Sequence, residues 1–314
     1  MRWVGDGSER SIREAVAAAV PALADARLRS STLVTSNPEW CAGTAILDEA
    51  FIVKFAWSEV AAIRVHREAA VLHALAEAAP DLPLPRIVGS SEDPVAFVTR
   101  LTAGEPLHFG RARMAEAERG SIATQLASFL ARLHEPSLLD DVRTRVPTLI
   151  EPHPQDQTPA LRSRLPRFLD RRRTGLILHW CDWVDAILSG SAGPRVLVHG
   201  DLHGFNQVWN RQPWTLLLVA DFEVAGPHEP EYDLRYFPPM EPTTMFINSL
   251  TETYIALSGR SLDMNRVMAW HIRTALGDAL WRSEAAIPLP GGCTPASYVD
   301  DIERKLRLLR IDLR

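Results

Sequence analysis

The feature that most constrains this chain is a pair of short apolar runs within an otherwise helix-patterned second half. "RVLVHGD" covers Arg195 to Asp201, and "LLLVADFE" covers Leu216 to Glu223. Both are rich in β-forming aliphatic residues, are short enough for strands, and lead into an aspartate. Gly200 permits a tight backbone just before the first aspartate. Asp201 and Asp221, twenty residues apart, are therefore expected at strand ends, where a scaffold commonly presents reactive groups. Asn206 lies between them, ahead of the strand-like "QVWN". A carboxylate and an amide oxygen are hard donors suited to Mg²⁺. A second carboxylate nearby can accept a proton or orient a nucleophile. Either aspartate alone reads as a turn residue or helix cap; the pair with Asn206 at this spacing reads as a site.

His199, Asp201 and His203 allow another reading, zinc held by imidazole and carboxylate. No further His cluster completes such a shell. The three residues also share a face only if the chain stays extended past Gly200.

A second constellation lies in the first third. In "AFIVKF", Lys54 shares a strand face with Ala50 and Ile52, and a lysine there is costly unless it snorkels or pairs. In the next helix-patterned stretch, Val65, Glu68, Leu72 and Leu75 recur at helical spacing, which puts Glu68 on the core-facing stripe. A buried glutamate needs a cation, and Lys54 is the natural one. The alternative, in which Lys54 ends its strand in solvent and Glu68 lies at the edge of the stripe, stays open on these residues alone.

Around these constellations the chain reads as α+β. "SIREAVAAAVPALADARL" is helical, with Ser11 and Glu14 forming a capping box and Pro21 interrupting. "TLV" and "AFIVKF" form hairpin material, a helix ends at Pro80, and two short strands turn at Glu92-Asp93-Pro94. From Glu116 the pattern is helical, with Ile122, Leu126, Phe129, Leu130 and Leu133 on one face. "PTLIEPHPQDQTPA" reads as loop, "LRSRLPRFLDRRRTGLILHWCDWVDAILSG" as one helical segment, and Glu231 to Arg314 as nearly all helix. The boundary falls near Gly104, giving domains 1–103 and 104–314.

The net charge of -5 disfavours nucleic acid as a partner and tolerates a cationic small molecule. Three dispersed cysteines argue against a disulfide framework. With neither a signal-peptide pattern nor an apolar run of membrane-spanning length, a cytoplasmic protein without a membrane partner is expected.

A strand lysine paired to a helix glutamate, then His-Gly-Asp with a downstream Asn, then an Asp closing a strand, form in order the parts of a phosphoryl-transfer site. The segments "HGDLHGFN", "VADFE", "GPHEPEYDL", "IVKF" and "HREAAVLHAL" resemble the aminoglycoside phosphotransferase family, relatives of choline kinases and distant cousins of protein kinases. The resemblance spans nearly the whole chain. It implies a two-lobed protein-kinase-like fold, with a small β-rich N-terminal lobe for nucleotide and a large, mostly helical C-terminal lobe for substrate. It implies γ-phosphoryl transfer from ATP, with GTP as the alternative, to a small-molecule hydroxyl.

In that light Asp201 is the catalytic acceptor of the hydroxyl proton, Asn206 and Asp221 hold Mg²⁺, and Glu68 orients Lys54 against the α- and β-phosphates. The backbone of Arg100, Leu101 and Thr102 would hydrogen-bond adenine, with His199 and Asp233 structural. No glycine-rich phosphate loop is present, and Ser36 and Asn37 are the polar residues offered in its place. The stretch 135–160 matches nothing in the resemblance.

The acceptor is expected to be an aminoglycoside. Macrolide, choline, homoserine and amino-sugar kinases are rivals within the same chemistry, and an inactive kinase-like binding module is the rival outside it. Trp270 and Trp281, on one face of a predicted helix, either flank a substrate or belong to the core. Glu229, Glu231, Asp263, Asp278 and Glu284 either form an acidic rim for ammonium groups or a solvated face. The protein is expected as a monomer or homodimer.

Overall fold

The computed structural model describes residues 2–30, 41–107, 115–152, 157–239 and 243–313. The first elements are α1 (Glu9–Ala19), β1 (Leu28–Ser30), β2 (Ala42–Leu47), β3 (Phe51–Ala56), α2 (Glu59–Ala78), β4 (Ile87–Glu92), β5 (Val95–Arg100) and β6 (Glu105–Pro106). Then come α3 (Glu116–Leu133), α4 (Pro136–Arg145), α5 (Thr158–Arg164), α6 (Arg171–Ser189), β7 (Val196–Val198), β8 (Gln207–Arg211), β9 (Trp214–Val219) and β10 (Gly226–His228). The chain closes with α7 (Glu231–Leu234), α8 (Met245–Ser258), α9 (Met264–Glu284) and α10 (Pro295–Leu309).

These elements form two compact units. The first takes Met1–Ala115, Glu135–Glu151 and His199–Pro227; the second takes Glu116–His134, Pro152–Val198 and His228–Arg314. The grouping is discontinuous in sequence, where the sequence reading placed one boundary near Gly104.

The first unit is built on an antiparallel sheet of order β1-β2-β3-β5-β4. The β5 strand, "VAFVTR", is buried along all but its last residue, as befits a strand with neighbours on both sides. The edge strand β4 alternates between half-buried and exposed residues. Helix α1 places Ile12, Ala15 and Val16 in one cluster with Val53, Phe55 and Val98 of the sheet. Helix α2 begins at Ser58, whose side chain accepts from the Ala61 N–H at 3.2 Å, and buries Val65, Leu72 and Leu75. Strands β6, β8 and β9 form a second antiparallel sheet.

The second unit is helical. Ile177, Trp180 and Val184 of α6, Met268, Ile272 and Leu276 of α9, and Ile302 of α10 share one buried cluster. Helix α3 buries Ile122, Leu126, Phe129, Leu130 and Leu133, the face expected from spacing, and runs against α8. Among the described residues, no helix is long and apolar enough to cross a membrane.

Four details differ from the sequence reading. The α1 cap is Ser8, whose hydroxyl accepts from the Ser11 N–H, so Ser11 lies inside the helix. The single segment expected over 161–190 is split, because Pro166 cannot donate to a preceding turn and Asp170 restarts the helix by accepting from the Arg173 N–H at 2.8 Å. Helix α4 had no sequence expectation, since its apolar signal is only Leu138, Leu139 and Val142. The "TLV" segment lies outside the described residues, and the hairpin partner of β3 is "AGTAIL".

Candidate functional site

Strand alternation sends Val53 and Phe55 of β3 into the core and Lys54 to the opposite face. The helical stripe of α2 buries Glu68 between Val65 and Leu72. The two charges meet: Lys54 Nζ donates to Glu68 Oε2 at 2.6 Å. It also donates to Asp221 Oδ1 at 2.7 Å and Glu223 Oε2 at 3.3 Å. One ammonium thus serves three carboxylates. Burial opposes the charge on Lys54, yet Asp221, Glu68 and Glu223 outweigh it and hold its pKa well above the ordinary lysine value. Burial dominates at Glu68, and with the repulsion of Asp221 and Glu223 it pushes that pKa up to about 7, against the pull of Lys54. Burial raises Asp221 as well, but Lys54 overrides it and leaves Asp221 below the usual carboxylate value.

The loop after β7 is held by its own residues. His199 is buried, its Nδ1 accepts from the Asp201 N–H at 3.1 Å, and its Nε2 donates to the Ala220 carbonyl at 2.8 Å. Its ring sits edge-on to Phe222 at 4.4 Å between centroids. These partners select the neutral Nε2–H tautomer and occupy both nitrogens. His199 is therefore a brace, and the zinc reading built on it is set aside. Gly200 has φ +83°, and a Cβ there would lie 2.6 Å from the Val224 carbonyl oxygen. Only glycine lets the two loops approach so closely.

Asn206 Nδ2 donates to the Asp201 carbonyl at 2.9 Å, and the Asn206 carbonyl accepts from the Ala220 N–H at 2.8 Å. Asp201, Asn206 and the residue before Asp221 are thereby stitched together. Asp221 itself has φ +70°, a left-handed conformation uncommon outside glycine and a mark of strain held at functional positions. His203 Nε2 lies 3.4 Å from Asp201 Oδ2. Burial works against the His203 charge, but hydrogen bonding and the Asp201 charge keep its pKa above the ordinary histidine value.

The donor chemistry fits a divalent cation. Because the Asn206 NH₂ is committed to Asp201, its amide oxygen is the end left to face a cation. Glu68, Asp221 and Glu223 each offer a carboxylate oxygen, all within 4.8 Å of one another. Asp221 and Asn206 are thus both oxygen donors of the kind Mg²⁺ takes.

Among the other expected residues, the Leu101 N–H is already donated to the Ala50 carbonyl at 2.8 Å. That N–H is unavailable to an adenine, and the Leu101 carbonyl and the backbone of Arg100 and Thr102 remain. The Arg100 guanidinium lies 5.5 Å from the Phe51 ring centroid. Ser36 and Asn37 lie outside the described residues.

The sequence reading missed Glu223, Arg64 and Arg67. Arg64 is ion-paired with Glu223 Oε1, and Arg67 donates to the Glu223 carbonyl at 3.2 Å from Nε and 2.6 Å from its NH2 nitrogen. The signal was present: Arg64, Arg67 and Glu68 stand at i, i+3 and i+4, hence on one face of α2.

In the second unit the proposed acidic rim does not hold. Glu229 is buried, taking Arg266 at 2.8 Å and 2.7 Å and the Trp270 indole N–H. Glu231 is buried too, and accepts from the Asp263 N–H at 3.0 Å. Asp263 caps α9, Asp278 pairs with Arg282 at 2.8 Å, and Glu284 pairs with Arg164 and Arg167. Trp270 is a core aromatic packed on His228 and Tyr232, and the Trp281 ring carries the Arg282 guanidinium 5.2 Å from its centroid. Asp233 is fully buried, 3.1 Å from His134 Nε2, with Tyr254 on the other ring nitrogen at 3.0 Å.

Residues 35–260 match the sequence pattern described as the phosphotransferase enzyme family. Among solved structures, the GDP complex of wild-type aminoglycoside 2'-phosphotransferase-IIIa is similar at TM-score 0.67 and 17% identity, with 96% of this chain and 97% of that one covered. Macrolide 2'-phosphotransferase type I is similar at TM-score 0.55 and 17% identity, covering 98% of this chain and 99% of that one. The apoenzyme of macrolide 2'-phosphotransferase MphH from Brachybacterium faecium is similar at 0.53 and 18%, covering 89% and 91%. At such identities the likeness speaks for the fold. No curated protein matches the sequence.

Proposed function

The chain belongs to the phosphotransferase enzyme family, and on that footing we propose that it moves the terminal phosphoryl group of a nucleoside triphosphate onto a hydroxyl of a small molecule. One observation carries the reading. Lys54 joins Glu68 to Asp221, and Asp221 directly follows Ala220, which Asn206 and His199 tie to the Asp201 loop. An ammonium, an oxygen-donor pair and the Asp201 carboxylate thereby belong to one unit, the first, which supports the reading.

Each role follows from chemistry. Asp201 accepts the hydroxyl proton as the acceptor oxygen bonds to the γ-phosphorus and the bond to the leaving nucleoside diphosphate breaks. Lys54 supplies fixed positive charge to the phosphates, and Glu68 sets its direction. Asp221 and Asn206 hold Mg²⁺, which when bound neutralises phosphate charge. The backbone of Arg100 and Thr102 and the Leu101 carbonyl, with Ser36 and Asn37, serve the nucleotide, which is ATP with GTP as the alternative.

The acceptor is proposed as an aminoglycoside, supported by similarity to the structure of an aminoglycoside phosphotransferase. Similarity to two macrolide phosphotransferase structures supports a macrolide as the second reading, and the loss of the acidic rim removes one argument for a cationic substrate. Nucleotide consumption against a panel of aminoglycosides, macrolides, choline and amino sugars separates these. In the same assay Asp201→Ala should lower turnover by about 10²–10⁴-fold while nucleotide binding persists. Wild-type turnover in that variant refutes the base assignment.

A further inference from the structure

Lys54 and Asp221 present a conflict. Asp221 Oδ1 is 2.7 Å from an ammonium, yet the reading above asks Asp221 to serve a cation. Two like charges cannot share that oxygen without repulsion. When Asp221 turns to a cation, Lys54 needs enough remaining anionic contact to stay in place. Glu68 supplies one contact at 2.6 Å, and Glu223 supplies another at 3.3 Å.

Glu223 is itself fixed. Its Oε1 is paired with Arg64, and its backbone carbonyl takes two N–H bonds from the buried Arg67. The next residue back, Phe222, donates its N–H to Glu68 Oε1 at 3.2 Å. Three side chains on one face of α2 thus grip residues 222–223 from both ends, and the Glu223 side chain is the link from that grip to Lys54.

Resting on the phosphoryl-transfer reading, we propose that Glu223 is a positioning residue that keeps Lys54 anchored to α2 when Asp221 is handed over to a cation. It acts through Arg64 on one oxygen and Lys54 on the other, so its effect is on how easily Asp221 is released.

The test is Mg²⁺-dependent binding of a non-hydrolysable ATP analogue, followed by calorimetry without any acceptor. Hydrogen exchange across Glu59–Ala78 in the nucleotide-free protein serves as the second readout. Glu223→Gln keeps the backbone carbonyl and side-chain size, so folding is preserved. It should raise the Mg²⁺ concentration for half-maximal analogue binding about tenfold and speed exchange in α2. Arg64→Met should act in the same direction, and the double variant should be no worse than E223Q alone, because both changes break one linkage. Glu223→Asp, which keeps the charge, should recover part of the loss.

E223Q with the Mg²⁺ dependence of the wild type overturns the proposal. So does an R64M variant that binds Mg²⁺ more tightly than the wild type, since freeing Glu223 would then show it to be a direct ligand. Failure of the wild type to bind nucleotide at all is a different result: it removes the phosphotransferase reading, and this proposal with it.

Discussion

The Lys54 cluster of the first unit is part-buried and the Glu229–Arg266 pair of the second is buried; both are charged, yet they are built oppositely. Around Glu229, one guanidinium gives two bonds, at 2.8 Å and 2.7 Å, and an indole N–H joins them. Arg266 spends a third nitrogen on the Ile187 carbonyl at 2.8 Å. Charges are matched one to one and bonds are closed. Around Lys54, three carboxylates compete for one ammonium, and burial first, then the repulsion of Asp221 and Glu223, pushes Glu68 up to about 7. A matched buried pair holds structure together. An excess of carboxylate around one ammonium, kept in place by Arg64 and Arg67, is a poor way to gain stability and an effective way to await a cation.

The largest effect should come from breaking the matched pair. Arg266→Met strands the buried Glu229 and should cost about 3–5 kcal/mol in urea unfolding. A loss under about 1 kcal/mol would break the contrast. Next, Lys54→Met should lower kcat/KM for nucleotide by about 10²-fold with a smaller loss of stability than R266M, because the neighbouring carboxylates can take protons. Unchanged nucleotide kinetics would end the role given to Lys54.

A sharper version removes one surplus carboxylate. The Glu68 pKa is raised from 4.5 to about 7, so folding favours its protonated form. Its stabilising share is complete below pH 4.5 and is lost as pH rises through about 7. Glu68→Gln should therefore gain stability relative to wild type over that window and level off above it, as read from urea midpoints against pH. A midpoint difference that is flat with pH would contradict the crowding.

The last contrast lies in the second unit and shows only in acid. His271 is held down to about 3, first by burial and then by Lys305. A histidine kept neutral contributes fully above pH 6.5 and loses that contribution as pH falls toward about 3. Wild type should lose up to about 1.4 kcal/mol per pH unit in that range relative to His271→Gln. Parallel acid curves for the two proteins would refute the burial argument.

Much of the site was legible because it rests on periodicity. The i, i+2 alternation of "FIVKF" set Lys54 apart from Val53 and Phe55, and the stripe Val65-Glu68-Leu72 demanded a partner for its glutamate. Helix faces such as Ile122-Leu126-Phe129 were legible for the same reason. Glu223 was hidden because nothing local distinguishes a glutamate that meets a distant arginine from one in solvent. The acidic rim failed likewise: the partner of Glu229 is thirty-seven residues away in sequence, so its burial cannot be seen from its neighbours. The Leu101 amide was spent by a contact with Ala50 that only the fold reveals.

Local spacing thus determined which residues face inward and which reactive types cluster at strand ends, since those follow from backbone geometry within a few residues. Tertiary structure alone decided that His199–Pro227 joins the unit of Lys54 and that three carboxylates, not one, meet its ammonium. Pairings across more than 150 residues depend on how whole elements pack, and chain order carries no record of that distance.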